Sequence, residues 1–172
     1  MRPYRFTTAL GYLLNKVGAR AAGLFGRDLA EYDITVPMYR ALAGLGEKGD
    51  QQLGELSEMI TVDPSTLSRM LGELKRRGLV SRVRPENDER SIRLNLTAKG
   101  RALTSELMDI AARYESRYAR SIGEEEMKTV IRGLNTIFGN LAQIKGESSS
   151  IPSKGSSHRS PRSRASRGGT KG

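Results

Sequence analysis

The chain has 172 residues, with 29 Lys+Arg against 19 Asp+Glu, one histidine, no cysteine, no tryptophan and a formal net charge of +10. That length suits one sizeable core with a tail, and the positive balance points to a polyanionic partner without dictating a fold. Absence of cysteine excludes disulfides, thiolate chemistry and cysteine-containing zinc sites, and the lone His158 stands in a stretch with almost nothing apolar, so no metal or organic cofactor is expected. An enzyme working through carboxylates, Lys or Tyr is only a remote possibility on this inventory, and the chain is not expected to be one.

No run approaches the roughly 18 apolar residues of a membrane span. The opening "MRPYRFTTALGYLLNKVGARAAGLFGR" has no acid before Asp28 and carries the look of a targeting peptide. However, Leu10, Leu13, Leu14, Val17, Ala21 and Leu24 recur at helical spacing and run on into "DLAEYDITVPMYRALAGL" without a break. That continuity predicts a core or interface helix instead. The protein is expected to be cytoplasmic and bacterial, and not bound to a membrane.

Next, "VPMYRALAGLGEKGD" reads as a short helix with Pro37 near its start and glycines at its end. A further helix, "QQLGELSEMI", sets Leu53, Leu56 and Ile60 on one face, and "TVD" breaks it. "PSTLSRMLGELKRRG" is the most informative piece: Asp63 is a natural N-cap, Pro64 fits the first helical position and Gly78 the stop. Leu67, Met70, Leu71 and Leu74 make its apolar face, which leaves Ser65, Ser68, Arg69, Gly72 and Arg76 on the opposite one.

"LVSRVRP" and "SIRLNL" then alternate in the manner of strands, with Ile92, Leu94 and Leu96 on one face. Between them lies "RPENDERSIR", three arginines against three acids, so the most charge-dense loop of a basic chain is neutral. A long helix begins at about Thr97 as N-cap and carries Leu103, Leu107, Ile110, Ala111, Tyr114 and Tyr118. The last helix starts at "SIGE", where Ser121 and Glu124 have capping-box spacing, and its stripe is Met127, Val130, Ile131, Leu134, Ile137, Phe138 and Leu141. From Gly146 onward the chain is Ser, Gly, Arg and Pro, with six cations against one acid, and is expected to be disordered. That tail is either an electrostatic arm for DNA or a solvating extension.

Two short helices joined by a tight turn, then strand, charged loop and strand, make a winged helix-turn-helix. Small residues at the start of the second helix, Ser65, Thr66 and Ser68, let its backbone approach base edges in the major groove. Arg69 is long enough to reach guanine or a phosphate, and Lys75, Arg76 and Arg77 are placed for phosphates, which fix register without reading sequence. The alternative is that these charges are the solvated face of a core helix.

Over about Leu10 to Leu141 the chain resembles the MarR family of bacterial transcriptional regulators. The most specific part is Asp88-Glu89-Arg90 followed by Leu96-Thr97 and Gly100; "LGELSEMITVDPSTLSRMLGELKRRGLVSR" and "VPMYRAL" also match in type and spacing. The resemblance implies a mainly α fold with a small β-hairpin wing, built as an obligate homodimer on a helical dimerisation domain. In this division residues 1–145 form the domain, with dimerisation helices over about 6–32 and 97–145 and a DNA-binding lobe over about 35–96, and residues 146–172 are the tail. It also implies that Arg90 enters the minor groove of double-stranded DNA while Asp88 holds it in place, as the negative potential of a narrow groove would reward; the charge of flanking arginines such as Arg84 adds electrostatic pull. Independently of the resemblance, the first helix and the last two carry more apolar surface than a small wing domain can cover, which favours a partner copy and a near-palindromic site.

Members of the family release DNA when a small anionic or aromatic effector binds between the dimer helices and the winged lobe. Here Tyr12, Lys16, Arg20, Met38, Tyr39, Arg40 and Met108 are candidates to line such a cleft. Met38 and Tyr39 have a plain core reading beside that one, and Arg20 an interface ion pair. Without Cys, Trp or a folded His, thiol-peroxide, urate-type and zinc-sensing subtypes lose the residues they need. Phenolic, aromatic-acid, acyl-CoA or hydrophobic-drug sensing, or no ligand, remain. The expected function is a sequence-specific repressor, with a nonspecific architectural DNA binder driven by the tail as the alternative.

Overall fold

The computed structural model describes residues 4–83 and 92–147. The chain divides into two compact units, Met1–Ser121 and Ile122–Gly172. In the first, a single 3-10 turn at Phe6–Thr8 precedes helix α1 (Leu10–Ala30), followed by α2 (Val36–Lys48), strand β1 (Gln51–Gln52), α3 (Leu53–Ile60), α4 (Pro64–Arg76), β2 (Val80–Val83), β3 (Arg93–Leu96) and α5 (Ala98–Tyr118).

Only the last turns of α1 reach the core. Leu29 is fully buried, and Phe25 packs edge-on against Tyr39 at 4.8 Å and Tyr114 at 5.8 Å, whereas Leu10, Leu13, Leu14 and Val17 are exposed. The helix ends through Asp33, a non-glycine residue at φ 53, with the Ile34 amide returning to the Leu29 carbonyl at 3.0 Å. Helix α2 begins on Thr35, whose hydroxyl accepts from the Met38 amide at 3.4 Å, has Pro37 in its first turn and stops at Gly49, φ 73. Gly44 and Gly46 lie inside α2, so of the glycines near its end only Gly49 terminates it.

Around α2 the core is mainly leucine: Leu42, Leu56, Leu67, Leu71, Leu74, Leu79, Leu94 and Leu107 are each at most 1% exposed. At about 1.5–3 kcal/mol per buried aliphatic side chain, this cluster is the main stabilising term of the unit. It closes over the apolar faces of α3 and α4 and the inner face of the sheet.

Sequence alternation predicts a two-stranded hairpin, but among the described residues the sheet has three antiparallel strands in the order β1-β3-β2. Strand β2 pairs Val80 with Leu96 and Val83 with Arg93, while the two residues of β1 pair Gln51 with Leu94 and Gln52 with Arg93. Gln51 is buried and its amide nitrogen donates to the Gly44 carbonyl at 2.8 Å, so the extra strand is bolted to α2. Leu94 and Leu96 share the inner face as expected, but Ile92 lies before the strand and is 39% exposed, so it does not join them.

The junction between wing and α5 gives the Leu96-Thr97 and Gly100 signature a physical cause. The Thr97 hydroxyl donates to the Gly78 carbonyl at 2.7 Å and accepts from the Gly100 amide at 2.9 Å, while the Thr97 amide donates to the Leu79 carbonyl at 3.0 Å. A Cβ on Gly100 would stand 1.9 Å from that Leu79 oxygen, so only glycine lets α5 approach the root of β2 this closely.

In the second unit, α6 (Glu124–Glu147) opens with Glu124, Glu125 and Glu126, which the positive end of the helix dipole favours. Lys128 lies 2.8 Å from both Glu124 and Glu125. Ser121 stands three residues ahead of the first helical residue, so it is not the N-cap that the predicted capping box requires; the first helical bond runs from the Met127 amide to the Gly123 carbonyl at 2.9 Å. Val130, Ile131, Leu134, Phe138 and Leu141 form an exposed apolar stripe. Among the described residues no helix is long and apolar enough to cross a membrane.

Candidate nucleic-acid interface

Helices α3 and α4 are joined by a turn that leaves little freedom. Thr61 caps α3 in the left-handed region at φ 56, a conformation that costs an ordinary residue about 1–2 kcal/mol. It is held by the Ser57 hydroxyl donating to the Val62 carbonyl at 2.6 Å and by the Val62 amide returning to the Ser57 carbonyl at 3.2 Å. Asp63 then opens α4, its Oδ1 accepting from the Ser65 hydroxyl at 2.6 Å and the Thr66 amide at 2.9 Å. The Ser65 hydroxyl bond, followed by the Thr66 amide, drives the Asp63 carboxyl far below the usual carboxylate range, so the cap stays ionised at neutral pH.

Helix α4 buries Leu67, Met70, Leu71 and Leu74 and turns the predicted stripe outward: Ser65, Arg69, Gly72 and Arg76 are exposed, Thr66 and Ser68 half-buried. Because Ser65 spends its proton on Asp63, it offers lone pairs outward and suits a donor such as a base amino group. The Arg69 guanidinium lies 3.4 Å from the Thr66 hydroxyl, and Arg76 pairs with Glu73 on its own helix while remaining 76% exposed. A face that is small at its start and basic at its end is thus presented on a buried, capped helix. Arg84, Asp88 and Arg90 lie outside the described residues.

Arg77 differs from its neighbours. Its guanidinium donates to the carbonyl oxygens of Asp33 at 2.6 Å and Tyr32 at 2.7 Å, just past the end of α1. In the DNA-free chain these internal acceptors compete with the phosphate expected for Arg77, since carbonyls at the negative end of a helix suit a cation. Arg93 approaches Glu55 at 3.9 Å and ties the base of the wing to α3.

The candidate effector residues fall into separate groups. The Tyr12 ring packs at a tilt against Phe6, centroids 4.5 Å apart, with the Lys16 ammonium 5.6 Å from the Tyr12 ring, and Arg20 is exposed one turn beyond Lys16. Met38 and Tyr39 pack against the core, and burial pushes the Tyr39 phenol up. Tyr39 and Arg40 also border an open cleft of about 320 Å³ with Ala43, Glu47, Met59 and Thr61. Tyr12, Lys16, Arg20 and Met108 are not in that lining, and Met108 is 43% exposed on α5.

A family model described as transcriptional regulator SarA/Rot matches residues 24–107. The HTH-type transcriptional regulator SarZ of Staphylococcus aureus (strain USA300) is 31% identical over 106 residues, which is 62% of this chain and 70% of that protein. A MarR family transcriptional regulator from Silicibacter pomeroyi is 29% identical with a TM-score of 0.73, over 79% of this chain and 92% of that one. The chain belongs to the MarR family of transcriptional regulators. Membership makes it a DNA-binding regulator on a winged helix-turn-helix. A mutant MarR from E. coli complexed with operator DNA is similar in fold, with 24% identity and a TM-score of 0.66 over 76% of this chain and 94% of that one.

The sequence signals that lead to α4 do not lead to Tyr32 or Glu106. The Tyr32 hydroxyl donates to Glu106 Oε1 at 2.6 Å across 74 positions of the chain, and this bond, ahead of burial, raises the Tyr32 phenol above its ordinary value. Neither residue belongs to a periodic stripe or a motif.

Proposed function

We propose that the protein is a sequence-specific repressor that binds a near-palindromic operator on the nucleoid as a homodimer. The observation that carries this reading is the outward face of α4, with Ser65, Thr66 and Ser68 at its capped start and Arg69 and Arg76 beyond. Small side chains admit the helix to the major groove, Arg69 reads a base edge, and Arg76 exchanges Glu73 for a phosphate. Arg90 enters the minor groove, Asp88 holds it in place and Arg84 adds electrostatic pull beside it. The apolar stripes of α1 and α6 are the surfaces a second copy covers, since isolated apolar patches of that extent signal an interface. A small aromatic or acyl-type anion is the effector class, held either by Arg40 beside Tyr39 at the cleft or by Lys16 and Arg20 beside Tyr12.

Footprinting on the DNA upstream of the protein's own coding sequence tests the reading. Protection of one near-palindrome, with half-sites about one helical turn apart, is expected. Uniform coverage that vanishes at moderate salt would instead assign binding to the basic tail and make the protein an architectural binder.

A further inference from the structure

We propose that Arg77 and Tyr32 are positioning residues for DNA reading: they latch the end of α4 to α1 and α5 and so set the pose in which the reading face is presented. The inference rests on the assignment of α4 as the reading helix and extends it to residues that touch no DNA.

Burial of Leu67, Met70, Leu71 and Leu74 determines which face of α4 turns outward, but side-chain packing alone leaves a scatter of about 15–20° in a helix's crossing angle. The start is anchored by the Asp63 cap and the rigid Thr61 turn. At the other end Arg77 is the last residue with helical backbone, and Gly78 at φ 70 turns the chain away. Its side chain reaches back to two carbonyls at the end of α1, one on Asp33 in the left-handed region and one on Tyr32. Two acceptors engaged by the two terminal nitrogens of one planar guanidinium define an orientation as well as a distance, which a lysine ammonium does not.

Tyr32 continues the connection, its hydroxyl bonded to Glu106 in the middle of α5 at 2.6 Å. A second tie reaches the first turn of α5, where the Lys99 ammonium donates to the Arg77 carbonyl at 3.2 Å and the Thr97 hydroxyl to that of Gly78. The end of α4 is thus held at the end of α1, the middle of α5 and the start of α5. In a dimer built on the apolar stripe of α1, this chain of bonds is what sets the separation and tilt of the two reading helices against the spacing of the half-sites.

The test uses the full-length chain, wild type against Tyr32→Phe, Arg77→Lys, Arg77→Gln and the Tyr32→Phe/Arg77→Lys double variant, with two readouts. Without DNA, amide hydrogen exchange is followed over residues 75–79; each single variant is expected to exchange about three- to tenfold faster there, the equivalent of one hydrogen bond's net worth. With DNA, affinity is measured across a salt series for the footprinted operator and for a scrambled duplex of equal length. Operator affinity is expected to fall by a similar factor, with scrambled-duplex affinity and the salt slope unchanged and with the double variant no worse than Arg77→Lys. If Arg77 contacts phosphate instead, Arg77→Gln lowers both affinities together and reduces the salt slope by about one, which overturns the proposal. Unchanged exchange in both single variants overturns the latch itself. If the wild type binds no duplex, the DNA reading fails and takes the positioning role with it, while the exchange data still report whether the latch exists.

Discussion

Replacing Gly100 with alanine tests the close approach of α5 to the wing. The new methyl would sit 1.9 Å from the Leu79 carbonyl oxygen and 2.9 Å from its carbon. The oxygen cannot step aside cheaply, because the Thr97 amide donates to it at 3.0 Å and residue 80, next along the chain, is locked into the sheet opposite Leu96. Relief requires α5 or the root of β2 to move by more than about 1 Å, and forcing extra volume into a packed site costs about 1–3 kcal/mol. The helix preference of alanine returns at most about 1 kcal/mol, and less in a first turn. A net loss of about 1–3 kcal/mol is expected, read as a lower denaturant midpoint and, at this chain length, a melting temperature lower by about 2–4 °C per kcal/mol. Gly72→Ala is the control: nothing lies within 4 Å of its Cβ position, so it should hold or raise stability by up to about 1 kcal/mol. If Gly100→Ala proves as stable as wild type, the packing account of the signature is wrong.

Three further outcomes concern the cap of α4, the stripe of α6 and the wing. The Asp63 carboxyl is depressed in the folded state, so its stabilisation is fully present above the ordinary carboxylate range and is lost as pH falls below it. The gap in urea midpoint between wild type and Asp63→Asn should therefore be constant above the ordinary carboxylate range and begin to narrow, without closing, as pH is lowered to about 3; a gap independent of pH would refute the charge argument. Leu134→Glu with Phe138→Glu places two charges in the exposed stripe of α6, and sedimentation should show a monomer; an unchanged sedimentation coefficient would remove α6 from the interface. For Arg90→Ala, specific affinity should fall by about 1–3 kcal/mol, the worth of one good groove contact, and unaltered operator binding would end the minor-groove reading.

Helix α4 was legible because several independent signals coincide within it: Asp63 and Pro64 at the start, Gly78 at the stop, and thirteen residues of 3.6-period apolar spacing between. Strand β1 was not, since two polar residues cannot display a period of two, and Gln51 and Gln52 are extended only because the edge of β3 is there to pair with. Ser121 and Glu124 satisfy the spacing of a capping box, yet the helix starts three residues after Ser121, beyond the intervening Gly123. The four cations near the α4 face look alike in sequence, but Arg69 and Arg76 turn outward while Arg77 finds carbonyls 44 and 45 positions earlier. A long flexible cation at a helix end is compatible with either partner, and only the folded path of the chain chooses. The same holds for Tyr32 and Glu106, whose contact depends on where α1 ends relative to α5.

The central claim is that the outward face of α4 reads sequence. Its most direct test compares wild type and Arg69→Ala on the footprinted operator and on a scrambled duplex of equal length at one fixed salt concentration. Wild type should prefer the operator, and Arg69→Ala should lose about 1–3 kcal/mol on it, roughly five- to 150-fold, with little change on the scrambled duplex. Equal binding of both duplexes by wild type, or equal losses on both by Arg69→Ala, would contradict the account.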